Sequence, residues 1–71
     1  MSIELKIKTH LVANGITQKE LCERIGITQA KLNLSLNGHR KLSLKEYALI
    51  CEGLNVSTNH FFSQQNNNLG G

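Results

Sequence analysis

The side chains of this 71-residue chain whose types could carry chemistry are three histidines, two cysteines and a cluster of cations. His10, His39 and His60 are scattered, with no second ligand at a metal-site spacing and no nucleophile beside a paired base. Neither a catalytic centre nor a metal or cofactor site is expected of them. Cys22 and Cys51 each fall on the apolar face of a predicted helix, where a reduced cysteine packs as a small hydrophobe. The cations are more telling. Between Thr17 and Lys45 lie Lys19, Arg24, Lys31, Arg40, Lys41 and Lys45 against only Glu20 and Glu23, so this stretch holds +4 of a chain whose total is +3. Positive charge gathered in one region is the electrostatic footprint of a phosphate-binding surface.

The elements that must position these cations can be read from helix start and stop signals. Thr17 with Glu20 three residues on forms a capping box, so a helix starts at Gln18. Leu21, Cys22 and Ile25 give it one apolar face, while Lys19, Glu23 and Arg24 look outward. Gly26 ends it, because glycine reaches positive φ without a Cβ penalty. Thr28 then caps another helix through Gln29, Lys31, Leu32 and Ser35, and Asn37-Gly38 supplies its stop. Two helices joined by so short a turn cross steeply, and the stretch from Thr17 to Gly38 is a predicted helix-turn-helix.

Around this unit the chain offers scaffold. Ile3, Ile7 and Leu11, with Val12 adjoining, mark a first helix ending near Asn14-Gly15, and Ile16 is placed to staple the next cap against Leu21. Ser43 to Glu46 is a second capping box, opening a helix whose apolar positions are Leu44, Tyr47, Ile50, Cys51 and Leu54. Gly53 within it marks either the last turn or a close approach to a neighbour, and Asn55 suits a left-handed end. A last short helix is expected from Thr58 to Phe62. From Ser63 onward the chain lacks periodicity and reads as a disordered tail. LNLSL at Leu32 to Leu36 alternates like a strand, but its flanking cap and stop decide for helix. Aromatics are 4% of residues against 39% apolar overall, so the core must be built of small aliphatic side chains. The expected architecture is all-α, a compact bundle of about five short helices, with one domain over 1–62 and a tail over 63–71. No apolar run is long enough for a bilayer and Met1 to Lys8 is unlike a signal peptide, so no membrane role and a cytoplasmic location are expected.

From about Ile3 to Phe62 the chain resembles the Cro and repressor type of helix-turn-helix domain (XRE-like), common in temperate phages and bacterial regulators. The residues that carry the resemblance are ITQKELCERIGITQ from Ile16 to Gln29, Asn37-Gly38, SLKE at Ser43 and LNVS from Leu54 to Ser57. The resemblance implies a lambda-repressor-like fold that binds double-stranded operator DNA, with the third helix in the major groove and the second crossing the backbone. On matching positions it implies base reading by Gln29, whose amide suits adenine, by Ala30 against a thymine methyl, and by Lys31. It implies phosphate contacts from Gln18, Thr28, Asn37, His39, Arg40 and Lys41. A homodimer on a two-fold operator is expected, since one domain this small buries too little surface to bind tightly alone.

Two departures modify these expectations. Many members carry an Arg in helix 1 and a Glu before the Asn-Gly as a buried ion pair; here both positions are leucine, Leu11 and Leu36, which are expected to pack on each other. Leu34 falls on the outward side of the third helix, where a polar reader is commoner, while Ser35 turns inward. A leucine there offers a groove only apolar contact. An alternative expectation follows, in which Lys31, Leu34 and Leu36 form a protein-binding face and the chain is an antirepressor that covers a cognate repressor.

Overall fold

Each of the four main helices among the described residues begins on a hydroxyl side chain. In the computed structural model, which describes residues 2–62, the helices are α1 (Ile3–Ala13), α2 (Gln18–Ile25), α3 (Gln29–Leu36) and α4 (Leu44–Leu54). Their caps are Ser2, Thr17, Thr28 and Ser43, whose hydroxyl oxygens accept from the backbone N–H of Leu5, Glu20, Lys31 and Glu46 at 3.0, 3.1, 3.2 and 3.1 Å. Each bond satisfies a first-turn donor that the helix cannot satisfy itself. A helical turn at 60–62 closes the described chain, which contains no strand. The tail expected from Ser63 lies outside the described residues.

Helix ends follow the same logic. Gly26 takes φ 77° and donates to the Cys22 carbonyl, and Asn55 takes φ 60°, ψ 42° after α4. Both are left-handed stops that leave the next segment free to change direction.

One core joins all four helices. α1 contributes Ile7 and Leu11, α2 Leu21 and Cys22, α3 Leu32 and Leu36, and α4 Tyr47, Ile50, Cys51 and Leu54, with Phe61 closing one end. Leu11 and Leu36 are 2% and 3% exposed, so the positions of the family's ion pair are occupied here by hydrophobes within the core. Burial of Leu36 also removes it from any partner-binding face, correcting the expectation that grouped it with Lys31 and Leu34. Gly53 settles as a close approach within the last turn of α4. A Cβ there would stand 2.5 Å from Ile25 Cγ2 and 3.2 Å from Leu21 Cδ1, so α2 rests on bare backbone.

Periodicity overstated two positions. Leu44 is 84% exposed and Val12 76%, although both were placed with the apolar residues of their helices. Leu44 opens the first turn of α4, beyond the end of the core, and Val12 is turned one residue off the Leu11 stripe. Helical spacing gives the direction of a side chain, whereas burial also needs a neighbouring element to cover it.

Candidate nucleic-acid interface

The turn after α2 runs from Gly26 through Ile27, which packs on the core, to the cap Thr28. This fixes the start of α3, and burial fixes its rotation: Leu32 and Ser35 are both 0% exposed. The opposite face must then be open. Gln29, Ala30 and Lys31 are all exposed in the first turn, and Asn33, Leu34 and Asn37 are exposed further along. Thr28 Oγ1 accepts from the Lys31 N–H while its own O–H remains a donor. The N–H groups of Gln29 and Ala30, in the first turn of α3, have no intrahelical acceptor. Donors, a lysine and an uncharged methyl therefore converge at one helix end.

Beside this end runs a chain of polar contacts. Asn33 Nδ2 donates to Gln18 Oε1 at 3.4 Å, Asn37 Nδ2 donates to Asn33 Oδ1 at 3.1 Å, and Lys8 Nζ donates to Asn37 Oδ1 at 2.8 Å. Gln18 and Asn37, both singled out from the sequence, are thus brought into one network by two residues that were not. Asn33 stands four residues before Asn37, a spacing that puts both on one helix face and could have flagged it. Lys8 comes from α1, and nothing in its local sequence signals the contact.

Past α3, the backbone N–H of His39 donates to the Leu34 carbonyl at 2.8 Å and that of Gly38 to the Ser35 carbonyl at 3.1 Å. These bonds end the helix and leave the His39 and Lys41 side chains exposed. Arg40 behaves differently. Its Nη1 donates to Ser35 Oγ at 3.0 Å and to Glu46 Oε1 at 3.1 Å, while Nη2 meets Glu46 Oε2 at 2.6 Å. A bidentate pair of this kind uses the guanidinium's fork geometry on a structural partner. It holds the Glu46 carboxyl down at about 2, with Arg40 the leading cause and the Ser43 N–H the next. Arg40 was grouped with the phosphate contacts; in the structure its guanidinium is turned to Glu46 and to buried Ser35. The charge count explains the difference, because it stopped at Lys45, one residue short of the carboxylate that neutralises Arg40. Arg24 is also engaged, donating to the Gly53 carbonyl at 3.1 Å. The positive charge available near α3 therefore belongs to lysines.

The remaining chemistry-bearing residues are structural in setting. Burial, followed by the charge of Glu23, pushes the Cys22 thiol up, which disfavours the reactive thiolate, and Cys51 is 1% exposed in the core. His10 and His60 stack edge-to-face with centroids 5.5 Å apart, and both lie against Phe61. Partial burial, then His60, lowers the pKa of His10. No cluster of metal-ligating side chains occurs among the described residues, and none of their helices is long and apolar enough to cross a membrane.

Comparison with known proteins agrees with this geometry. The helix-turn-helix family model matches residues 7–61. No curated protein and no solved structure matches the chain. The matched span takes in the core of α1, both crossing helices, α4 and Phe61. The chain belongs to the Cro/XRE-type helix-turn-helix family of DNA-binding regulators.

Proposed function

We propose that the protein is a transcriptional regulator of a phage-type genetic switch, acting in the cytoplasm as a homodimer on a two-fold operator. The observation that carries this reading is the open first turn of α3, with Gln29, Ala30 and Lys31 exposed beside the Gln18–Asn33–Asn37 network. Gln29 reads adenine through its amide, Ala30 contacts a thymine methyl, and Lys31 reaches guanine or phosphate. Gln18, Thr28, Asn37, His39 and Lys41 hold the backbone and set register without reading sequence. Selection from a random-sequence duplex library tests the proposal: a palindromic consensus should emerge, bound with strong salt dependence. Gln29→Ala should then cost about 1–3 kcal/mol and relax specificity at one base pair. Absence of any enriched sequence would sink it.

A second reading rests on Leu34, which is 46% exposed on the same face. There the protein acts as an antirepressor, covering the DNA-binding surface of a cognate repressor with Leu34 at the contact. Leu34→Lys should abolish such a complex and leave the fold intact, whereas an unchanged complex would exclude this reading.

A further inference from the structure

The chain of contacts between Lys8 and Gln18 has a direction. An ammonium group has three donors and no acceptor, so the Asn37 atom 2.8 Å from Lys8 Nζ has to be its carbonyl oxygen. With Oδ1 turned to Lys8, Asn37 presents Nδ2 to Asn33, 3.1 Å away, and Asn33 must answer with oxygen. That in turn sends Asn33 Nδ2 toward Gln18 Oε1 at 3.4 Å. A primary amide has one oxygen and one nitrogen, so engaging Oε1 leaves the two N–H donors of Gln18 for another acceptor. We infer that Lys8, on α1 and outside the helix-turn-helix, is a positioning residue of the DNA interface: it orients three amides in series so that Gln18 offers donors to a backbone phosphate. The inference rests on the proposed reading of Gln18 as a phosphate contact.

The chemistry of the alternative shows what is at stake. Without a pure donor at position 8 the Asn37 amide can turn over, and the reversal passes along Asn33 to Gln18. A Gln18 carbonyl oxygen would then face the phosphate, where lone pairs oppose negative charge. The positive end at Lys8 also polarises the chain in the direction that strengthens each following donor.

Binding to a mixed-sequence duplex at low salt, read by fluorescence anisotropy, tests the assignment in four variants. Lys8→Met should weaken binding about ten-fold, the range of a hydrogen bond to a charged group. Lys8→Arg, still a pure donor, should restore most of the affinity. In a Gln18→Ala background, Lys8→Met should cost little more, because the two residues act through one contact. Equal losses in both backgrounds would mean that Lys8 acts on DNA without Gln18, directly or through Asn37, and would overturn the proposal. A second measurement needs no DNA. In the free protein, Lys8→Met should shift the side-chain amide resonances of Asn37, Asn33 and Gln18, and unchanged resonances would overturn the orienting chain itself. If those resonances shift but the unmodified protein binds no duplex, it is the interface reading of Gln18 that fails, and the role given to Lys8 fails with it.

Discussion

α2 and α4 start with the same four-residue device, and the two copies do different work. At α2, Glu20 Oε1 accepts from the Thr17 N–H at 3.1 Å while Thr17 Oγ1 accepts from the Glu20 N–H at 3.1 Å, and the hydrogen bonds of the Glu20 carboxylate stay within that turn. At α4, Ser43 and Glu46 make the same exchange at 2.9 and 3.1 Å, but the carboxylate also takes Arg40, which reaches on to Ser35 in α3. The first box only starts a helix. The second ties the start of α4 to the buried side of the helix proposed to read DNA. What separates them is a cation six residues upstream, and the carboxyls record it: the Thr17 backbone N–H leads the lowering of Glu20, whereas Arg40 leads the lowering of Glu46 to about 2. A local motif thus acquires long-range meaning from one additional partner.

Mutation can break this contrast. Glu46→Ala removes the carboxylate half of the capping box and the ion pair together and leaves Arg40 beside buried Ser35, so it should have the largest effect, about 1–2 kcal/mol by thermal or urea unfolding. Glu46→Gln is the sharper instrument, since glutamine still closes a capping box but cannot pair with Arg40 as an anion. Its effect should appear mainly in the pH dependence. The Glu46 carboxyl lies at about 2 in the folded protein against an ordinary 4.5, so its stabilisation is complete above 4.5 and is lost as pH falls toward 2. The Gln variant should flatten stability across that window and change it least in acid. Glu20→Ala should have the smallest effect, because its carboxylate is fully exposed and serves one turn. Equal losses from Glu46→Ala and Glu20→Ala would show that the extra partners of Glu46 add nothing.

The sequence was most legible where structure depends on neighbours in the chain. Both capping boxes, the start at Gln18, the stops at Gly26 and Asn55, and the opposite facing of Leu34 and Ser35 follow from hydroxyls, glycines and a 3.6-residue period, and all appear in the structure. Residues whose role depends on distant partners were harder. Arg40 looked like a free cation because its carboxylate lay just beyond the counted segment. Lys8 contacts a residue 29 positions away, which no local pattern announces. Leu36 and Leu44 show the limit of such patterns: Leu36 is buried, as expected from its pairing with Leu11 and not as the partner-face alternative had it, while Leu44, assigned inward, is exposed, since covering depends on where other helices end.

Gly53 gives the last of these long-range relations a mechanical sense. Ile25, the side chain a methyl at position 53 would strike, is the final residue of α2 and leads directly into the Gly26 turn from which α3 departs. The missing carbon is therefore a shim of zero thickness beneath the pivot of the helix proposed to read DNA. Gly53→Ala would be felt as a change of aim, recorded by altered amide shifts along α3, although position 53 belongs to none of the contacts assigned to DNA.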